Sequence, residues 1–140
     1  MFITILGSFL AFIFLVLGLI HIYWAFGGKG ASEAVLPSVE GKLAFNPSAF
    51  LTLLVALALF IAMLIILGQI GFLGLFVPSV NFYYGTLFIS LVFFLRSIGE
   101  FRLVGFFKKI KNTKFAYWDT ILFSPLCLLI SIIAFLLLFK

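Results

Sequence analysis

Apolar residues along this chain come in four long runs, not in the period-two alternation of half-buried strands. No Asp, Glu, Lys or Arg occurs from Met1 to Gly28, from Leu43 to Leu95, or between Asp119 and Lys140. A helix crossing a hydrocarbon core of about 30 Å needs roughly 20 such residues. The runs predict spans at about 2–26, 48–71, 79–98 and 119–139, which with their loops consume 1–140 as a single transmembrane domain. The first run has no basic residue ahead of it and no small-residue cleavage site, so it reads as a span and not as a removable leader. Pro47 suits the start of the second span. Gly71, Gly74 and Pro78 punctuate an uncharged turn joining the second and third spans as a hairpin. The third span is expected to continue as helix through Glu100 and Arg102, and the fourth to begin at Asp119 or Thr120, either of which suits an N-cap. The connector from Gly27 to Pro47 is rich in turn chemistry and long enough for a reentrant or interfacial segment.

Composition strengthens this reading. Hydrophobic residues make up 66% of the chain and charged residues 9%, with a mean hydropathy of +1.41, against about 45–50% and 25% in soluble domains. One cysteine and one histidine exclude an internal disulfide and a Cys/His zinc site. No P-loop, dinucleotide fingerprint or histidine-rich metal box is present, so neither cofactor nor metal is expected.

The net charge of +5 sits beside the spans, where anionic headgroups of membrane lipids are nearer partners than nucleic acid. With four spans, Lys29, Lys42, Arg96, Arg102, Lys108, Lys109, Lys111 and Lys114 share one side and Lys140 stands alone on the other. Positive charge stays cytoplasmic. Both polar loops are therefore expected in the cytoplasm and both termini outside, in a multi-pass protein of the inner membrane with an all-α, four-helix bundle.

Helices in lipid pack where small residues let backbones approach. Gly7, Ala11, Gly18, His21 and Ala25 mark one face of the first span, and Ser48, Thr52 and Ala56 one face of the second. Asn81, Gly85 and Arg96 mark the third, and Ser124, Cys127, Ser131 and Ala134 the fourth. Facing stripes point His21 into the bundle near its cytoplasmic end. The 21 phenylalanines share no face and read as lipid-facing filler, whereas Tyr23, Trp24, Tyr117 and Trp118 bracket span ends as an interfacial belt does.

Three segments converge on that side: His21 to Gly28, Arg96 to Arg102, and Phe115 to Thr120. Ionisable groups at a membrane boundary need partners. Arg96 and Glu100 are one helical turn apart, and Arg102 and Asp119 lie at neighbouring span ends, so both pairings are expected. One reading is a polar clamp that fixes helix register. The other is a pocket in which His21 carries a proton, Glu100 or Asp119 serves as base or orienter, and Tyr23, Trp24, Arg96, Arg102 and Ser124 hold the ligand. Cys127 reads as a packed small residue, and Lys108 to Lys114 as a basic stretch on anionic lipid.

His21, Tyr23-Trp24-Ala25, Gly27-Gly28, Pro37, Asn46-Pro47, Arg96, Gly99-Glu100-Phe101-Arg102, Gly105-Phe106-Phe107, Phe115-Ala116, Asp119-Thr120 and Ser124-Pro125-Leu126 together carry a resemblance over nearly the whole chain. On them the sequence resembles an uncharacterised bacterial family of small four-helix membrane proteins of unknown function. The resemblance implies the architecture and lends no reaction.

Function is expected to be binding of, or action on, a small or lipidic molecule in a cytoplasm-facing pocket. In a catalytic version His21, with Glu100 or Asp119, moves protons on an apolar substrate while Trp24 stabilises positive charge. The alternative is a non-catalytic bundle, either a subunit of a larger complex or a small transporter working as a homo-oligomer. Ion pairs closed on one another without a cavity favour that alternative. A cavity beneath His21 favours binding.

Overall fold

The structure, a computed structural model, describes residues 1–28, 32–73 and 79–140. Lys29, Gly30, Gly74 and Pro78 lie outside the described residues. Among the described residues four helices are long and apolar enough to cross a membrane, Phe2–Ala25, Ala49–Gln69, Ser79–Ile98 and Lys114–Phe139. At 1.5 Å per residue the shortest reaches about 30 Å and the longest nearly 40 Å.

The first span is α1 (Phe2–Ala25). Its end follows from Gly27-Gly28: Gly27 takes a φ of 87°, its N–H bonds the Trp24 carbonyl at 3.1 Å, and the Gly28 N–H reaches Tyr23 at 3.0 Å. This is the double closure that a left-handed glycine permits after a helix. The connector holds a short helix α2 (Ser32–Val35) and a two-stranded hairpin, β1 (Ser38–Val39) and β2 (Lys42–Leu43), turned by Glu40-Gly41. Both turn residues have positive φ, 51° and 77°, as a tight hairpin turn requires. Ser48 then caps α3 (Ala49–Gln69), its hydroxyl accepting the Leu51 N–H at 3.2 Å.

Neighbouring helices run antiparallel. A side chain added at Gly7 in α1 would strike Ile70 just past the end of α3, and one at Gly18 would strike Phe60. Gly68 of α3 likewise receives the ring of Phe82 in α4 (Ser79–Ile98). Those glycines let backbones close in where lipid supplies no hydrophobic drive for helices to associate.

The last span is composite: α5 (Lys114–Trp118), a π-helical turn at Asp119–Phe123, α6 (Ser124–Leu136) and a final 3₁₀ turn. It begins five residues before the expected Asp119, with Thr113 as the cap, its hydroxyl accepting the Ala116 N–H at 3.0 Å. Pro125 has no N–H to give and its ring crowds the preceding turn. The wide turn just before it, closed by the Ser124 N–H on the Asp119 carbonyl, accommodates both effects.

Leu10, Phe14, Leu59, Ile66, Ile89, Ile130 and Leu137 fill the core between α1, α3, α4 and the last span. Buried polar groups tie the helices together. Ser90 donates to the Ser131 carbonyl at 3.0 Å, and Ser131 returns a bond to the Ser90 carbonyl at 2.8 Å. Gln69 donates to the Leu137 carbonyl at 3.0 Å. The expected Asn81 stripe does not form: Asn81 is exposed, and α4 packs through Phe82, Thr86, Ile89 and Ser90 instead. Ser48 too is exposed, so α3 packs through Ala56, Leu59, Ala62 and Ile66.

Candidate functional site

The site begins where α4 stops. Gly99 has a φ of 84° and ends the helix at Ile98, so the continuation through Glu100 and Arg102 does not occur. Glu100 is thereby turned away from Arg96, and its carboxylate accepts the Leu103 N–H. The loop doubles back until Gly105, at φ 88°, lies against Gly99 and the Ile98 carbonyl, a contact that leaves no room for a β-carbon on either glycine. The Phe106 N–H bonds the Ser97 carbonyl at 2.8 Å and holds the return.

That return delivers two donors to Asp119. The Gly105 N–H reaches Oδ2 at 2.8 Å and Lys108 Nζ reaches the same oxygen at 3.0 Å, while Arg96 Nη2 donates to Oδ1 at 2.9 Å. Lys108 Nζ also donates to the Gly105 carbonyl at 2.9 Å and the Thr120 hydroxyl at 2.7 Å. Asp119 and Lys108 are buried, at 0% and 3% exposure. A buried charge pair of this kind is stable only when its remaining lone pairs and protons are satisfied, and here they are. The three groups clamp the loop after α4 to the π turn of the last span.

Beside the clamp are two adjoining clefts. The larger, about 690 Å³, lies between the end of α1, the connector and the start of α3, and its walls include Phe45, Pro47, Leu51 and Leu54. The smaller, about 310 Å³, runs into the bundle among Leu17, Leu59, Phe93, Phe123, Leu126 and Ile130, with Arg96 and Cys127 in its wall. His21, Trp24, Val35 and Val55 line both. Both volumes fall in the range of roughly 300–1,000 Å³ typical of small-molecule sites.

His21 Nδ1 lies 2.7 Å from the Leu17 carbonyl. A carbonyl only accepts, so Nδ1 carries a proton, which in a neutral ring leaves the lone pair on Nε2. Trp24 packs edge-on against it with ring centroids 5.1 Å apart. Arg96 divides its guanidinium: Nη2 serves Asp119, whereas Nη1 is buried with no hydrogen-bond partner among the described residues.

A family model described as a protein of unknown function (DUF3995) matches residues 14–134. The chain belongs to DUF3995. The matched stretch takes in the whole clamp and every wall residue of both clefts. No curated protein and no solved structure matches the chain.

In this DUF3995 chain the residues singled out from sequence separate into groups. His21 and Trp24 line both clefts and Arg96 lines the inner one. Asp119 lines neither and is fully engaged by its three donors. Ser124 is completely buried with its hydroxyl unpartnered, outside both walls. Tyr23 is exposed and lays its ring over Gly28. Glu100 and Arg102 are exposed on the loop. The expected pairs are replaced by two that share Asp119: Arg96 pairs with Asp119, not Glu100, and the second cation on Asp119 is Lys108, not Arg102. Lys108 is also thereby removed from the basic stretch expected on lipid. No carboxylate of the described residues lines either cleft.

Proposed function

We propose that this DUF3995 protein is a multi-pass protein of the bacterial inner membrane, with both polar loops cytoplasmic, that binds a small or lipidic molecule in the paired clefts around His21 and Trp24. The observation that carries the reading is Arg96 Nη1, a buried charged donor without a partner among the described residues, on an arginine that lines a largely apolar cleft. Buried donors of this kind cost free energy until an acceptor arrives. His21 Nε2 adds an acceptor, and Trp24 a flat apolar wall with an N–H at its edge. The clamp at Asp119 supports the rival structural role for that residue alone: with every donor direct, it fixes the loop and the π turn and leaves recognition to His21, Trp24 and Arg96.

The test is purification of wild type and His21→Ala in mild detergent, followed by native mass spectrometry and extraction of bound molecules. The reading expects a discrete mass held by wild type and lost from a folded His21→Ala of similar stability. Absence of any ligand from both proteins, with His21→Ala destabilised, supports a purely structural bundle instead.

A further inference from the structure

Taking the paired clefts as a ligand site, we infer that the occupant is a membrane-resident amphiphile with an anionic oxyacid head, the head bound by Arg96 and the tail lying along the α1–α3 side. Charge is the first argument. Among the described residues the clamp contains two cations, Arg96 and Lys108, and one carboxylate, Asp119. Glu100, the nearest other acid in sequence, is exposed and bonded to its own loop backbone. Within the clamp one positive charge is left over, and the unpartnered atom is on the arginine that lines a cleft. Arginine presents its N–H groups as a planar fork matched to carboxylate and phosphate oxygens. Nη2 serves Asp119, and Nη1 keeps its own N–H donors for a second oxyanion.

The second argument is the route. Leu54 and Val55 of α3 line the larger cleft and are 44% and 45% exposed, so the cleft is open along the flank of α3. In a membrane that flank faces hydrocarbon, so the cleft is reached sideways from the bilayer. An apolar tail gains nothing by leaving lipid for an apolar wall. The head is what selects the ligand, and the open flank of α3 lets the tail remain beside the acyl chains.

The test uses Trp24 as reporter. The chain has two tryptophans; Trp118 lines neither cleft, so Trp118→Phe leaves Trp24 as the only tryptophan. Protein in neutral lipid vesicles is titrated with 11-bromoundecanoate and 11-bromoundecanol, whose bromine quenches tryptophan at contact, at a pH where the acid is ionised. The proposal expects saturable quenching by the acid at concentrations roughly tenfold or more below the alcohol, the value of one charge-assisted hydrogen bond. Arg96→Met abolishes that preference. Val55→Phe, which crowds both clefts at a residue outside the clamp, weakens binding of either probe and keeps the test readable if Arg96→Met fails to fold.

Saturable quenching with equal affinity for acid and alcohol, weakened by Val55→Phe, overturns the anionic head and leaves cleft binding standing. Quenching that rises with amphiphile content without saturating, unchanged by Val55→Phe, overturns both readings. Displacement of the acid by inorganic phosphate as readily as by undecanoate overturns the membrane-resident source.

Discussion

Lys108→Met is the sharpest perturbation of the clamp, because it keeps the length of the side chain and removes only the charge and its three donors. Lys108 Nζ serves the Gly105 carbonyl at 2.9 Å, Asp119 at 3.0 Å and Thr120 at 2.7 Å. The lysine side chain is 1% exposed and that of Asp119 0%. Removing one partner of a buried pair costs about 3–5 kcal/mol, mostly because the other charge is left uncompensated. Asp119 still has Arg96 at 2.9 Å and the Gly105 N–H at 2.8 Å, which places the expected loss near the lower end, about 3 kcal/mol or roughly a hundredfold in the unfolding equilibrium. Reversible unfolding in mixed micelles, followed by far-ultraviolet circular dichroism, reads it directly. Lys109→Met is the control: its side chain is exposed, and a change under about 0.5 kcal/mol is expected. Lys108→Met combined with Asp119→Asn removes both charges and is expected to cost less than the sum of the single changes. Equal, small effects of Lys108→Met and Lys109→Met would refute the argument, since they would mean that both lysines reach water or headgroups.

Gly105→Ala forces a β-carbon into the Ile98 carbonyl at a φ of 88°, with an expected cost of about 1–3 kcal/mol. Amide hydrogen exchange should accelerate at Phe106, whose N–H is tied to Ser97, and unchanged exchange there contradicts the fold of the loop. Ser131→Ala deletes the 2.8 Å bond to the Ser90 carbonyl and leaves the bond from Ser90 in place, so a loss of about 0.6 kcal/mol, and not above about 1.7, is expected in the same unfolding assay. Asp119→Asn should destabilise far more than Glu100→Gln, because Glu100 is exposed and Asp119 is not; the reverse order restores the pairing expected from sequence.

The spans were legible because the signal is simply uninterrupted apolar length, and helix ends at Gly27 and Gly71 were marked by glycines that close helices with positive φ. Helix faces were only partly legible. Gly7, Ala11 and Gly18 do turn inward, but in α4 bulky Phe82 and Ile89 pack inward while Asn81 does not, since a glycine on the partner helix, Gly68, makes the room for Phe82. Such complementarity belongs to two helices at once.

The partners within the site were hidden for two reasons. Spacing put Glu100 one turn from Arg96, yet Gly99 between them was itself a stop signal, and its positive φ ends the helix before the turn is complete. Lys108 sits among Lys109, Lys111 and Lys114 with nothing in residue type to separate it. The usable hint was Asp119, a carboxylate at the edge of an apolar run that required a buried cation, next to a loop whose Gly105 permits tight reversal. The early start of the last span rests on Thr113, a capping residue followed by the apolar Phe115-Ala116.

Asp119 is the only aspartate in the chain, and Arg96 and Arg102 are the only arginines, so one spectroscopic measurement reaches the centre of the account. Rotational-echo double-resonance NMR on protein in bilayers, with ¹⁵N-arginine and ¹³C-aspartate, reports which guanidinium touches Asp119, and Arg102→Lys assigns the signal. Adding dodecanoate labelled at its carboxyl carbon then asks whether the same arginine takes a second oxyanion. The account predicts short contacts from Arg96 to both Asp119 and the dodecanoate carboxylate, each surviving Arg102→Lys. Contact of Asp119 with Arg102, or a carboxylate that approaches neither arginine, contradicts it.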